Sequence, residues 1–165
     1  MSESNPAEIL MWAVDAFPEG SLALVSAFGP GSVVLIHLLA EIGARVPVIF
    51  IDTLHHFPET LEHVERVRVC YDIDLRVYRP AESRADFDAV HGPRLWARDL
   101  DRYEQVTKVE PFRRAIASLD AYITGRRRDQ SATRVDLDVV ECGRPEIINP
   151  IAAWTRRQVW DFIGA

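Results

Sequence analysis

Cysteine is scarce in this chain: Cys70 and Cys142 are the two present in 165 residues. Their separation excludes a CxxC redox or zinc pattern, and a chain of this length folds without a disulfide framework. A reducing, cytoplasmic setting is therefore expected. Long apolar runs are also missing. The longest, residues 33–40, is broken by His37 and falls far short of the roughly 20 residues that a membrane helix needs. The opening MSESNPAEIL lacks the basic start and apolar stretch of a secretory signal. Positive charge is outnumbered, with 19 Lys and Arg against 25 Asp and Glu and a net charge of −6. That balance argues against non-specific nucleic-acid binding but leaves room for a local basic stripe that receives a small anion. No internal repeat or low-complexity linker interrupts the sequence, so one domain over residues 1–165 is expected. With 48% hydrophobic and 27% charged residues, the chain has enough apolar side chains for a packed core.

The hydrophobic period changes along the chain. Ile9, Ala13 and Phe17 recur at helical spacing and stop before Pro18 and Gly20, which predicts an amphipathic helix. Residues 22–25 form a short apolar run, followed by the glycine-rich segment SAFGPGS and a stretch apolar almost all round at 33–40. This pattern predicts strand, tight loop and buried helix. VPVIFI at 46–51 is a second strand whose continuous hydrophobicity implies cover on both faces, as in a parallel sheet. After Pro58, the residues Leu61, Val64, Val67 and Tyr71 mark one helical face, and residues 74–78 read as the next strand. Residues 79–107 are charged and weakly periodic, consistent with a mobile excursion or with short helices around Leu95 and Trp96. Phe112, Ala115, Ile116 and Leu119 define a further helical face before a strand at 121–124. Residues 138–142 and 146–148 flank Gly143 and Pro145 as an antiparallel hairpin. Thr155 and Gln158 form a capping-box pair and Trp154 and Val159 a hydrophobic staple, so a last helix starts near Arg156. Strand–helix alternation of this kind predicts a three-layer α/β/α domain with a mostly parallel sheet and right-handed crossovers. Ligands in such folds sit at the C-terminal ends of the strands.

Three stretches directly follow predicted strands. In SAFGPGS, between Ser26 and Ser32, Gly29 and Gly31 permit close backbone approach and the following helix offers unpaired N–H groups, a setting for phosphate or sulfate or else an ordinary βα turn. It is neither a Walker A loop nor GxGxxG. In IDTLHHFPET, Asp52 and Thr53 stand at a strand end. His55 and His56 point in different directions on extended backbone and lack a carboxylate or thiol at ligand spacing, so no metal is expected. In TGRRRDQSATR, Arg126, Arg127, Arg128 and Arg134 join Lys108 of KVEP in concentrating positive charge, either as an anion site or as a solvated loop.

Taken together, SAFGPGS, IDTLHHFPET, KVEP and GRRRDQSATR resemble the sulfonucleotide (PAPS and APS) reductases of assimilatory sulfate reduction, within the adenine nucleotide α-hydrolase-like superfamily. The resemblance covers about residues 23–163. It implies an adenylyl sulfate cradled by Ser26, Phe28, Gly29, Gly31 and Ser32, with the nucleotide edge near Ile51, Asp52 and Thr53. Lys108, Gly125, Arg127, Arg128, Gln130, Ser131 and Arg134 are then expected at the phosphate and sulfate end. ATP pyrophosphatases of the same superfamily carry SGGxDS, whose acidic position is not filled here, which disfavours a transferase acting on ATP. APS-specific reductases hold an iron–sulfur cluster on a cysteine pair shortly before KVEP. Tyr103 and Glu104 stand there in this chain, so no cofactor is expected and the PAPS type is favoured.

In the family, a cysteine of a C-terminal ECGxH motif attacks the sulfonyl sulfur, and thioredoxin or glutaredoxin then releases sulfite. That segment is expected to lie outside these residues. Glu141, Cys142 and Gly143 spell ECG, but Arg144 and Pro145 follow, and the triplet sits on the predicted hairpin. Cys142 is accordingly read as a small strand residue and Cys70 as core-facing or partly exposed, and no catalytic residue is assigned. Two readings follow: a PAPS reductase-type enzyme completed by a further segment or polypeptide, with a homodimer among its expected partners, or a non-catalytic adenine-nucleotide-binding module. Neither implies nucleic acid or membrane as a partner.

Overall fold

The computed structural model describes residues 5–165. Its strands are β1 (Leu22–Val25), β2 (Val48–Ile51), β3 (Leu75–Tyr78), β4 (Ala121–Ile123), β5 (Val140–Glu141) and β6 (Glu146–Ile148). They form one sheet in the order β3-β2-β1-β4-β6-β5. All neighbours pair in parallel except β5, which runs antiparallel on the edge beside β6 with Val140 opposite Ile148. The helices α1 (Pro6–Ala16), α2 (Pro30–Glu41), α3 (Pro58–Tyr71), α7 (Glu110–Ile116) and α8 (Arg156–Ile163) cover the sheet, and three short helices, α4 (Arg84–His91), α5 (Leu95–Arg98) and α6 (Leu100–Glu104), lie between β3 and α7.

Strand direction and handedness decide which face each helix covers. The chain steps from β1 to β2 to β3 in one direction, so right-handed crossovers place α2 and α3 on the same face. It then returns past β1 to β4, and the reversed step places α7 on the opposite face. Side-chain alternation follows this division. Leu22, Leu24, Val48, Phe50 and Ile123 pack with α1, α2, α3 and α8, while Ala23 and Ile49 point the other way, against Ala115 of α7. Each fully buried Leu or Ile contributes about 1.5–3 kcal/mol, so the face carrying four helices holds most of the apolar stabilisation. The three-layer α/β/α arrangement expected from the sequence is the one observed.

Several boundaries differ from the expected ones. The helix after SAFGPGS begins at Pro30, because proline at the first helical position loses no hydrogen bond there, so Gly31 and Ser32 belong to its first turn. Strand β2 starts at Val48, two residues late. On α3, Val64 and Val67 are buried as expected, but Leu61 is 39% exposed. The segment 79–107 is short helices, with Leu95 buried and Trp96 exposed. It runs into a π turn, Gln105–Val109, in which the Glu110 N–H reaches the Gln105 carbonyl. Pro111 has no N–H and its ring would crowd the carbonyl four residues back, so a regular helix does not pass through this point. The C-terminal helix matches its signals: Gln158 N–H donates to Thr155 Oγ1 (3.2 Å) and Thr155 N–H to Gln158 Oε1 (2.8 Å), with Val159 buried beside half-buried Trp154. Among the described residues, no helix is long and apolar enough to cross a membrane.

Candidate functional site

Strand β1 ends at Val25, and the chain then makes a turn fixed by a side chain. Buried Ser26 accepts the Phe28 N–H at its Oγ (2.9 Å), and Phe28 adopts φ +57°, a left-handed conformation costly for a bulky residue. Burial holds it there: the ring packs edge-on against Phe50 with centroids 5.7 Å apart. His63 of α3 further ties the turn, its Nε2 lying 3.1 Å from the Phe28 carbonyl. Gly29 then caps α2 without a side chain, and the first turn holds no acidic residue. Helices α1, α4 and α8, by contrast, each have a side-chain oxygen accepting an N–H of their first turn. The positive end of α2 is left facing the C-terminal edge of the sheet.

The reversal of strand order at β1 makes the gap between the ends of β1 and β4 a topological switch point, the place where open α/β sheets bind ligands. The two loops meet there. A Cβ on Gly31 would lie 3.1 Å from the Gly125 carbonyl oxygen and 3.2 Å from Arg127 Nη1, and one on Gly125 would lie 3.0 Å from the Ser32 nitrogen. A methyl group at either position would press on the facing loop, so the approach favours glycine. A cleft of about 430 Å³ opens on the α2 and α8 side, with Arg127, Gln130, Arg156 and Trp160 on its walls. A second of about 310 Å³ opens towards α7, beside Phe112, Tyr122, Arg126 and Arg134. Ser32, Gly125 and Gln130 border both.

The arginines expected to act together hold different positions. Arg127 is 8% exposed. Its Nε donates to Asp129 Oδ1 (3.0 Å) and its N–H to Gln130 Oε1 (3.1 Å), while Asp129 Oδ2 accepts the Arg156 N–H at the start of α8. Arg134 donates to the same Gln130 Oε1. Arg126 pairs with Glu141, and its Nε lies 3.3 Å from both Thr124 Oγ1 and Asn149 Oδ1. Arg128 turns aside: its Nε donates to the Leu137 carbonyl (2.9 Å) and its N–H to the Ala152 carbonyl, which ties the loop to the chain after β6. Ser131 is exposed, with its Oγ 2.9 Å from Thr133 Oγ1. Lys108 is exposed and paired with Glu104 at 2.9 Å. It stands in the π turn before α7 and lines neither cleft.

At the end of β2, buried Asp52 accepts the Leu54 N–H (2.9 Å) and Arg79 Nε (2.8 Å). Ile51, Asp52 and Thr53 lie one strand away from the switch point and line neither cleft. His55 and His56 do diverge: His55 Nδ1 sits 2.9 Å from the Thr53 carbonyl, with its ring against Phe87, and His56 Nε2 sits 3.2 Å from the Ile51 carbonyl, with its ring against Phe50. Among the described residues, no three His, Cys, Asp or Glu side chains are grouped to hold a metal ion.

Several residues around the clefts were not singled out from the sequence as site residues. Asn149 is fully buried directly after β6 and ties three elements together. Its Oδ1 accepts Thr124 Oγ1–H (2.6 Å), and its Nδ2 donates to Glu141 Oε1 (2.7 Å) and to the Asp138 carbonyl (2.9 Å). Its signal was the strand-end rule applied to NPIAAW. Arg156, Trp160, Phe112 and Tyr122 gave no motif. Tyr122 packs edge-on against Phe112, and burial pushes its phenol up from the usual value, with Arg126 pulling the other way.

Both cysteines lie away from the clefts. Cys142 is exposed and falls just past β5, at the edge where β6 begins, rather than within a strand as expected; the cleft is where β6 ends. Cys70 is also exposed, not core-facing, one residue before the C-terminus of α3, whose N-terminus is the end near the strand tips.

The family model for the phosphoadenosine phosphosulfate reductase domain matches residues 21–165. The chain is 40% identical to the phosphoadenosine phosphosulfate reductase of Emericella nidulans, over 96% of this chain and 55% of that one. It is 41% identical to the phosphoadenosine 5′-phosphosulfate reductase of Xanthomonas axonopodis pv. citri, over 93% and 66%. It thus spans between about half and two thirds of the length of these curated relatives. The crystal structure of phosphoadenylyl-sulfate reductase from Candida auris in a phosphate complex superposes with a TM-score of 0.87 at 37% identity, covering 98% of this chain and 79% of that one. FMN adenylyltransferase of Candida glabrata, at 14% identity and a TM-score of 0.66, covers 98% of this chain and 54% of that one and shares the fold. The strand order, the meeting of the two glycine-bearing loops and these likenesses agree: the chain belongs to the phosphoadenosine phosphosulfate reductase family.

Proposed function

We propose that this chain is the sulfonucleotide-binding part of a thioredoxin-dependent PAPS reductase. The observation that carries this reading is the approach of Gly31 and Gly125, which brings the Arg127 guanidinium to the open N-terminus of α2. Backbone N–H groups, a helix N-terminus and a guanidinium fork converging on one cleft suit phosphate or sulfate oxygens. The Candida auris relative was solved as a phosphate complex, which accords with an anion in this fold. The adenosine extends from the switch point towards Ile51, Asp52 and Thr53 at the neighbouring strand end.

In the proposed reaction, a thiolate attacks the sulfonyl sulfur, the S–O bond to the nucleotide phosphate breaks, and adenosine 3′,5′-bisphosphate leaves. A dithiol of the thioredoxin or glutaredoxin type then attacks the S-sulfonated cysteine, releases sulfite and becomes a disulfide. Cys70 and Cys142 stand at the wrong end of the sheet for the first step, so a further segment or polypeptide supplies that thiolate. The same placement favours the second reading, a binding module without its own nucleophile. The reaction as proposed uses no iron–sulfur cluster. In support, Tyr103 packs against His55 and Phe87, and Glu104 pairs with Lys108. Two exposed free thiols fit a reducing, cytoplasmic setting. A homodimer belongs to this reading too, with Val90, Trp96 and Leu100 exposed on the short helices as apolar surface to cover.

Calorimetric titration with PAPS, APS and adenosine 3′,5′-bisphosphate tests the proposal. Saturable binding that Arg127→Ala weakens supports it, and absence of binding to all three overturns it. Sulfite release with reduced thioredoxin separates the two readings, and Cys142→Ser is expected to leave whatever release is seen unchanged.

A further inference from the structure

Arg127 is buried, yet the protein uses only part of its guanidinium. Its Nε donates to Asp129 Oδ1 (3.0 Å), and among the described residues neither Nη group meets a protein acceptor. Nη1 stands instead against Gly31 in the first turn of α2, 3.2 Å from where a Cβ on that residue would lie. The second oxygen of the same carboxylate, Asp129 Oδ2, accepts the Arg156 N–H that opens α8. One carboxylate therefore anchors two walls of the cleft on the α2 and α8 side, the guanidinium and the helix that carries Arg156 and Trp160. Asp129 is itself held, in a 3-10 turn over Arg128–Gln130. The Arg128 N–H donates to the Ala152 carbonyl, its Nε donates to the Leu137 carbonyl (2.9 Å), and Gln130 Oε1 accepts the Arg127 N–H (3.1 Å). Meeting two donors from different elements takes two acceptor oxygens, which a carboxylate has and an amide lacks.

We infer that Asp129 is a positioning residue for anion binding and that it acts through Arg127. This assignment rests on the sulfonucleotide reading above. An arginine free to turn loses rotamer freedom when it clamps an anion, whereas the bond from Nε to Asp129 fixes the guanidinium plane beforehand and leaves both Nη groups for the ligand. Charge and position act in opposite directions here. Asp129 places a negative charge beside an anion site, so by charge alone its neutralisation tightens binding. By position, the same change frees the Arg127 side chain and weakens binding. The sign of the effect separates the two.

Calorimetry with adenosine 3′,5′-bisphosphate at one ionic strength tests this on the wild-type chain and on Asp129→Asn and Asp129→Glu, each alone and combined with Arg127→Ala. Circular dichroism on each variant checks that α8 is retained. Asp129→Asn is expected to weaken binding roughly three- to tenfold, the effect of leaving one long side chain to be ordered by the ligand. Asp129→Glu keeps the charge and both oxygens on a stem one methylene longer, and should weaken binding by less. In the Arg127→Ala background either change should move affinity by less than about twofold, because the residue through which Asp129 acts is gone. A role exerted only through α8 would leave the loss intact in that background. Asp129→Asn binding as tightly as the wild type or more tightly, or an equal loss with and without Arg127, overturns the assignment and leaves the sulfonucleotide reading standing. Should Asp129→Asn lose α8, Asp129→Glu decides: a loss that depends on Arg127 supports the assignment, and wild-type affinity overturns it. A wild-type chain that does not bind the bisphosphate overturns that reading and the assignment with it.

Discussion

A buried guanidinium is stable only where its charge and donors are met, and Arg127 meets that condition through Asp129 while its Nη1 faces Gly31. Arg127→Ala removes the proposed anion ligand and leaves the Asp129 carboxylate without its main partner. The expected result is a loss of at least roughly tenfold in nucleotide affinity by calorimetry and of about 1–3 kcal/mol of stability in urea melts. Tyr122 gives a prediction on pH. Burial raises its phenol above 10.0, so the folded chain holds a proton that the unfolded chain releases first. Its contribution to stability is intact below pH 10.0 and declines as pH rises through the folded value. Alkaline unfolding followed by circular dichroism should show a shallower decline in Tyr122→Phe. The run Arg126, Arg127, Arg128 shows what the sequence left unreadable. All three share one composition, but successive side chains on irregular backbone point apart, so one pairs with Glu141, one is buried at the cleft and one ties the loop to the Leu137 carbonyl.

Elements with local signals were legible. Proline at the first helical position marked α3, the capping box and staple marked α8, and unbroken apolar runs marked β1 and β2. Thr155→Ala removes the cap oxygen and should cost about 1 kcal/mol in thermal or urea unfolding, with Thr155→Ser spared. Because α8 carries Arg156 and Trp160, the same variant should also loosen bisphosphate binding. Glycine geometry at the loop contact gives a sharper test. A methyl on Gly125 meets the backbone nitrogen of Ser32 and the carbonyl carbon of Gly31 at 3.0 and 3.1 Å, neither of which can swing aside as a side-chain tip would. Gly125→Ala should therefore part the two loops, lowering stability by about 1–3 kcal/mol in denaturant melts and weakening binding. Elements without local signals were not legible. Helices α4 to α6 and the π turn lack a sustained apolar period and are held by tertiary contacts such as buried Phe87 against His55 and Tyr103. Strand β5 is only two residues, its pairing set by the partner β6 rather than by its own propensity.

At the scale of the whole molecule, the site is a consequence of strand order. Alternating strands and helices announce a parallel sheet, but nothing in the linear pattern says that β4 returns to lie beside β1. The four motifs and the resemblance they carry supplied that link, and the sheet accounts for it: reversal at β1 puts two glycine-bearing loops edge to edge. Residues that join the site only through this arrangement, Arg156 and Trp160, could not be read without it, whereas Asn149 directly follows a strand end. The central claim is that the loops 26–32 and 124–134 form one binding surface. Amide hydrogen exchange, with and without saturating adenosine 3′,5′-bisphosphate, tests it most directly. Both loops and the start of α8 should gain protection together, at one ligand concentration dependence. Protection confined to a single loop, or centred on the opposite end of the sheet near Tyr71 and Asp74, would contradict it.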